Sequence, residues 1–188
     1  MTEHAGNSEL IALLARRSTK IGQFTLASGK QSKYYIDARL TTMSPEGLSV
    51  IGRLALAALR KSGWEIDAIG GLTLGADPIS YAISYASANS DQPLRAFTVR
   101  KEAKTHGTGK VIEGPFQEHD CVAVIEDVIT TGGSALRAIE AVRAANGSVA
   151  GVLALVDREE GGREAIEATG TPVISLSTAS QIIKSLAT

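Results

Sequence analysis

The sequence predicts an α/β fold in which a mainly parallel sheet is covered by helices on both faces. Residues 121–125 form a continuous apolar run, as a strand buried on both faces requires. A glycine-containing turn, a helix with Leu136, Ile139 and Val142 at helical spacing, and a second apolar strand at 149–156 follow in order. This repeated order of strand, turn, helix and strand is typical of a sheet whose ligands bind at the carboxyl ends of its strands.

The first half of the chain contains recognisable helix boundaries. Ser8 can cap a first helix, because apolar residues recur on one side of the segment that follows it. Ser44 with Pro45 supplies a cap and a first-turn proline for another helix, which Gly63 ends. The other predicted elements of this half are extended segments at 24–26 and 34–37, strands at 68–70 and 94–99, and a helix at 78–88.

The second half continues the alternation of strands and helices. A polar turn is predicted over 126–134, followed by a helix over 135–146 that a glycine closes. A further strand is predicted at 172–176. Thr178 and Gln181 have the spacing of a capping box, which predicts a last helix from this point.

Composition argues against several classes of function. The 188 residues have a net charge of −1 and are 44% hydrophobic, which is ordinary for one globular domain, expected here to span 1–188. Neither nucleic acid nor an anionic membrane is an expected partner, because no overall positive field is present. The single cysteine, Cys121, cannot form an intramolecular disulfide, and neither a signal peptide nor a membrane-length apolar stretch is visible. The cytoplasm is therefore the expected location.

A motif that combines acidic, hydroxyl and glycine residues lies at 126–134. Two adjacent carboxylates, Glu126 and Asp127, end a predicted strand, and hydroxyls and glycines precede the next helix. Backbone N–H groups in such a turn, together with the helix dipole, favour a phosphate. The carboxylates can accept hydrogen bonds from hydroxyls of an attached sugar. An ordinary acidic turn is the alternative, but neither the P-loop nor the dinucleotide spacing of glycines is present.

The complete acidic, hydroxyl and glycine motif resembles the phosphoribosyl pyrophosphate (PRPP) signature of type I phosphoribosyltransferases. Within that family, the orotate branch fits best. The resemblance continues, in the family's order, through the segments 24–30, 34–35, 70–75, 100–107 and 157–158. It implies a type I phosphoribosyltransferase fold with a small hood formed by the N-terminal segments. It also implies that orotate and PRPP give orotidine 5′-monophosphate and pyrophosphate, a step of pyrimidine (UMP) biosynthesis.

The resemblance assigns the donor site. It implies that the acidic pair holds the ribose hydroxyls and that residues 130–134 hold the 5-phosphate. The cofactor implied is Mg²⁺, held mainly by the substrate and water rather than by a dedicated protein cage. The PRPP-binding residues implied are Arg100, Lys101, Lys104, His106, Glu126, Asp127, Val128, Ile129, Thr130, Thr131, Gly132, Gly133 and Ser134.

A basic loop follows the strand predicted at 94–99. Four Lys or Arg residues lie between Arg100 and Lys110. A solvated loop is the simple alternative, but the Arg-Lys-x-x-Lys-x-His spacing favours a mobile catalytic lid over about 100–117. The resemblance makes Lys101, Lys104 and His106 catalytic and implies a homodimer in which this loop partly serves the neighbouring subunit. Cations there would stabilise charge that develops on departing pyrophosphate.

The predicted orotate site involves Arg158, Thr130, Tyr34 and Tyr35. The planar guanidinium of arginine matches a carboxylate, and orotate differs from uracil by one carboxylate. The resemblance therefore places Arg158 on that group, with Thr130 and the tyrosines beside the base. An ion pair of Arg158 with a neighbouring glutamate is equally compatible with the sequence, and at least one tyrosine is expected to pack in the core.

The chain departs from some family members at two positions. They carry lysine where this chain has Ala27, and an aromatic–lysine pair where it has Leu74 and Gly75. Two cations that bind the donor are therefore absent, which predicts a greater dependence on backbone contacts and on the basic loop. Two other functions remain open at this point, a purine phosphoribosyltransferase and a regulator that senses PRPP without catalysis.

Overall fold

The computed structural model describes residues 3–25, 31–102 and 111–187, with side chains from residue 7 onward. The helices are α1 (Glu3–Ser18), α2 (Arg39–Thr42), α3 (Pro45–Lys61), α4 (Ala76–Ser87), α5 (Gly133–Ala144), α6 (Gly162–Glu167) and α7 (Ala179–Leu186). The strands are β1 (Thr19–Thr25), β2 (Gln31–Ile36), β3 (Ala68–Leu72), β4 (Arg95–Val99), β5 (Ile112–Glu113), β6 (Cys121–Ile129), β7 (Ser148–Asp157) and β8 (Val173–Thr178).

The main sheet has the strand order β5-β4-β3-β6-β7-β8, and only β5 runs antiparallel to its neighbour. The chain runs outward from β3 to β4 and then returns to β6, so the order reverses between β3 and β6. A ligand crevice forms at such a reversal, outside the carboxyl ends of the strands. Strands β1 and β2 form a separate antiparallel pair. This pair corresponds to the predicted hood.

Helices cover both faces of the sheet, as predicted. On β3 and β6, Ile69 and Ala123 belong to a buried cluster that also contains residues of α1, α3, α4 and α7. Their neighbours Ala68 and Val122 belong to a second buried cluster, built with α5 and α6. Successive residues of a strand point to opposite faces, so the two clusters lie on opposite sides of the sheet. The prediction of an α/β fold with a mainly parallel sheet is confirmed.

Two predicted caps are confirmed by their hydrogen bonds. The Ser44 hydroxyl accepts a bond of 3.0 Å from the Gly47 amide at the start of α3. At the start of α7, the Thr178 hydroxyl accepts from the Gln181 amide, and the Gln181 side chain accepts from the Thr178 amide. These signals are local in sequence, so they could be recognised without tertiary information.

Several predicted boundaries are wrong. The extended segment predicted at 24–26 belongs to the longer strand β1, which begins at Thr19. Ser8 does not cap α1, because the helix begins at Glu3 and Ser8 lies inside it. The strand predicted to end at 125 continues to Ile129, so that Glu126 and Asp127 belong to β6 and the turn begins only afterwards. Pairing with β7 explains the extension, since the ladder continues as far as Ile129 opposite Asp157. The short elements α2, β5 and α6 were not predicted.

Among the residues described, no helix is long and apolar enough to cross a membrane.

Candidate active site

An open pocket of about 640 Å³ lies at the reversal of strand order. One side is formed by the end of β2 and the start of α2, and the other by the carboxyl ends of β3 and β6. The lining residues are Tyr35, Ile36, Asp37, Ala38, Arg39, Leu72, Thr73, Leu74, Gly75, Lys101, Glu126, Asp127, Val128, Thr130, Thr131, Ser134 and Arg158. Segments far apart in sequence, including much of the predicted donor and orotate sites, therefore meet in one cavity.

The acidic pair, Glu126 and Asp127, lines this pocket. Glu126 is only 8% exposed, and its burial together with the neighbouring Asp127 charge raises its pKa well above the ordinary value. The Asp127 carboxylate accepts a hydrogen bond of 2.8 Å from the Val128 amide. A buried carboxyl beside a carboxylate offers several oxygen atoms to hydroxyl groups of a ligand.

Replacing Glu126 by glutamine is expected to stabilise the free protein at neutral pH. A carboxyl whose pKa is raised in the folded state favours folding fully below its unfolded pKa, and this contribution is lost as the pH rises through the folded pKa. Glutamine carries no charge at any pH, so it avoids that loss. E126Q should therefore have a higher Tm than wild type at pH 7.5, with the difference shrinking towards pH 4, while its affinity for the sugar phosphate falls. A pH-independent difference in thermal unfolding would contradict this prediction.

The predicted phosphate site forms a small recess at the beginning of α5. It has a volume of about 90 Å³ and is lined by Glu126 and residues 128–134. Gly132 is the N-cap of α5 and has a φ of 81°, in the left-handed region that favours glycine. Because this N-cap has no side chain, it cannot occupy the first-turn amides of the helix. Those amides and the positive end of the helix dipole suit an anion.

Arg158 directly follows the end of β7. Its side chain is almost completely buried, and its Nε donates a hydrogen bond of 2.8 Å to Glu160. Its guanidinium lies 5.0 Å above the centre of the Tyr34 ring. Among the described residues, no group accepts a hydrogen bond from its buried Nη2. The ion pair considered from the sequence is thus present, yet it leaves one buried donor available to a ligand.

The two tyrosines have different environments. Tyr34 is partly buried against the core cluster that contains α1 and α3, as expected for one of the pair. Tyr35 is 40% exposed and lines the pocket. Of the two tyrosines, only Tyr35 therefore lines the cavity. The ring of Tyr34 instead packs against the guanidinium of Arg158.

The first two residues of the basic loop have different surroundings. Lys101 lines the pocket, and its carbonyl accepts a hydrogen bond of 2.6 Å from Arg137. Arg100 does not line the pocket; its Nη1 lies 3.6 Å from the Glu113 carboxylate. Lys104, His106 and Ala27 lie outside the described residues. Ile112 and Glu113, within the range predicted for the lid, form strand β5 against β4.

The other predicted residues of the motif lie around the recess at the start of α5. Ile129 is buried in the core cluster of α5, and only the recess at the helix start includes it. Gly132 and Gly133 also line that recess. Thr131 and Ser134 line both the recess and the larger pocket. The structure thus gathers the predicted motif around one helix terminus.

Sequence reasoning missed several pocket residues. Arg39 and Asp37 line the cavity and form an ion pair with Nε and Oδ1 2.8 Å apart. Asp77 does not line the cavity, but it is buried and accepts hydrogen bonds from the hydroxyls of Thr73 and Thr98, at 2.7 and 2.8 Å, which fixes the loop after β3. The Asp-x-Arg spacing at the end of β2 was the only available signal, and it is too short to be specific.

Comparison with known proteins agrees with this geometry. A phosphoribosyltransferase from Corynebacterium diphtheriae has a solved structure that is 33% identical, with a TM-score of 0.82, over 98% of this chain and 99% of that one. The fold and the pocket therefore define a phosphoribosyltransferase.

Two further relatives narrow the class. The orotate phosphoribosyltransferase of Aquifex aeolicus is 47% identical over 178 residues, which are 93% of this chain and 96% of that protein. The Mycobacterium tuberculosis orotate phosphoribosyltransferase, solved in complex with PRPP, is 35% identical with a TM-score of 0.77, over 95% and 92% of the two chains. The chain belongs to the orotate phosphoribosyltransferase family, which confirms the resemblance found in the sequence. No protein-family model matches the chain.

Proposed function

We propose that this chain transfers ribose 5-phosphate from PRPP to orotate, giving orotidine 5′-monophosphate and pyrophosphate in pyrimidine biosynthesis. The observation that carries the proposal is that one cavity joins the phosphate recess of α5, the acidic pair and the buried guanidinium of Arg158. The family supports it, since relatives over nearly the whole chain are orotate phosphoribosyltransferases. A purine base has no carboxylate to meet Arg158, so the orotate reaction is preferred.

In this proposal the protein binds and orients both substrates and supplies no nucleophile. The 5-phosphate accepts hydrogen bonds from the turn at 130–134, and the ribose hydroxyls donate to Glu126 and Asp127. The carboxylate of orotate accepts from Arg158, which directs the ring nitrogen towards the anomeric carbon. A bond from that nitrogen forms as the bond to pyrophosphate breaks, and the proton of the nitrogen is released to water. Correct orientation of the two reactants lowers the barrier.

The residues present fit a Mg²⁺ ion that arrives with the donor. Among the described residues, no group of three acidic, histidine or cysteine side chains could hold a metal. Mg²⁺ commonly keeps several waters and binds through substrate phosphates with one or two carboxylates, and Asp127, which lines the pocket, would supply such a carboxylate. When bound, the ion would offset negative charge on the donor.

The basic loop over about 100–117 is proposed to close over the donor within a single domain of 1–188. Lys101 supports this role, because it lines the pocket at the point where the loop begins. A homodimer that shares the loop is part of the same proposal. The cytoplasm stays the predicted location.

Substituting Lys104 by alanine is expected to lower kcat much more than it weakens binding of orotidine 5′-monophosphate. The charge that this lysine would meet develops on pyrophosphate during displacement, so its contribution is made mainly in the transition state. A loss of about 100-fold or more in kcat is the scale seen for such electrostatic groups. Steady-state kinetics and calorimetry on one preparation would compare the two quantities, and equal losses would show simple ground-state binding.

The activity itself is tested by the absorbance change of orotate. We expect orotate to disappear only when PRPP and Mg²⁺ are both present, with pyrophosphate released in equal amount. Adenine, guanine and hypoxanthine serve as alternative acceptors in parallel reactions. Turnover of a purine but not of orotate would overturn the proposed function.

A further inference from the structure

The cations of the pocket are few for a donor as highly charged as PRPP. Among the described lining residues, the cationic side chains are Arg39, Lys101 and Arg158. Arg158 is buried, pairs with Glu160 and lies over Tyr34, on the side proposed for the base. Arg39 has no role in the function proposed so far. It pairs with Asp37, just after the end of β2.

Asp37 holds the Arg39 guanidinium in a defined position. Its Oδ1 accepts from Arg39 Nε at 2.8 Å, and its Oδ2 accepts from Nη2 at 3.1 Å. These hydrogen bonds lower the pKa of Asp37, which keeps the pair ionised. A guanidinium has five N–H donors, and this two-pronged contact occupies two of them. The Arg39 side chain is 48% exposed, so its remaining donors are accessible to a ligand.

Gly75 and Asp127 line the same pocket as Arg39 and lie against each other. A Cβ added at Gly75 would lie only 2.5 Å from the Asp127 carboxylate, so a side chain at this position would displace that acid. Asp37 raises the pKa of Arg39 through its hydrogen bonds and its charge, and the Asp127 carboxylate adds to that rise. Arg39 and Asp127 line the same pocket, so a ligand bound there can meet both charges. This is the part of the pocket where some family members carry a lysine and this chain has glycine.

We propose that Arg39 is a donor-binding residue that contacts the pyrophosphate group of PRPP, in place of the cations absent at Ala27 and Gly75. The inference rests on the proposed function, since it assigns a further ligand contact within the same site. A guanidinium fork matches phosphate oxygens in geometry and keeps its charge at all accessible pH values. Asp37 acts as a positioning residue, because it reduces the conformational freedom that Arg39 would lose on binding.

The test compares R39Q with a matched variant, R53Q. Arg53 is also about half exposed and also forms an exposed ion pair, with Glu9 at 2.9 Å, but it does not line the pocket. We expect R39Q to raise the KM for PRPP, and the KM for pyrophosphate in the reverse reaction, by about 10-fold to 100-fold, the scale of a hydrogen bond to a charged group. The KM for orotate should change little, and R53Q should match wild type in all three.

A second variant separates ligand binding from a structural role of the ion pair. D37N removes the pair but keeps the guanidinium, so it should raise the KM for PRPP much less than R39Q does. An equal rise in D37N and R39Q would overturn the inference, as would an unchanged PRPP KM in R39Q or a rise confined to orotate. Calorimetric titration of PRPP gives the same comparison without turnover. A wild-type enzyme that consumes no orotate would instead defeat the proposed function.

Discussion

Replacing Arg158 by alanine is expected to lower kcat/KM for orotate by about 100-fold or more, with little effect on PRPP binding. Hydrogen bonds to a charged group contribute about 1.5–3 kcal/mol each, and two parallel bonds to a carboxylate would be lost together. The side chain is almost completely buried, so little water could replace its hydrogen bonds to orotate. Its Nη2 also has no acceptor among the described residues, so it is available to the ligand. Orotate kinetics at saturating PRPP measure the effect.

The ion pair with Glu160 provides the control for this prediction. E160Q removes the charge of the partner while leaving the guanidinium above Tyr34, so it should retain most of the orotate activity. R158K keeps a cation but lacks the planar fork, and it should fall between wild type and R158A. Unaltered orotate kinetics in R158A, in a variant that folds and binds PRPP, would remove Arg158 from the orotate site.

Replacing Gly132 by alanine is expected to weaken PRPP binding by at least about 10-fold. The new Cβ would lie 2.7 Å from the carbonyl oxygen of Gly162 and 3.1 Å from Ile166, so the turn at the start of α5 must shift. The residue also has a φ of 81°, where a side chain adds about 1–2 kcal/mol of strain. A shifted turn misaligns the amides that would meet the 5-phosphate. Calorimetric titration of PRPP into the variant measures the loss.

Gly161 offers a matched control within the same chain. It is also a helix N-cap with a positive φ, 92°, but an added Cβ would meet no atom within 4 Å. G161A should therefore lose a similar amount of unfolding free energy through its backbone conformation, while its affinity for PRPP stays that of wild type. Equal PRPP affinities in the two variants would mean that the turn at Gly132 does not bind the donor.

The features that the sequence predicted well depend on neighbouring residues. The cap at Ser44 and the capping box at Thr178 are formed by side chains and amides three residues apart. The phosphate recess is likewise built from one short segment, 126–134, so its chemistry could be recognised before its position was known. Arg158 joins this segment because β6 and β7 are parallel neighbours, and parallel strands bring their carboxyl ends to one edge.

The features that were missed depend on contacts between distant segments. The acidic pair belongs to a strand rather than a turn, because β7 continues to pair with β6 through Ile129. Arg39 was not singled out, since its importance arises from the hood and from Asp127, which is remote in sequence. The close approach of the Asp127 carboxylate to Gly75 could be recognised only from the structure. Neither hydrophobic periodicity nor composition indicates these contacts between distant segments.

The proposed function depends above all on binding of the ligand's 5-phosphate at the beginning of α5. The most direct test is a calorimetric comparison of orotidine 5′-monophosphate with orotidine, which differ by that phosphate alone. Several charge-assisted hydrogen bonds would be lost with the phosphate, so we expect the nucleotide to bind at least about 100-fold more tightly than the nucleoside. Equal dissociation constants for the two compounds would contradict the account.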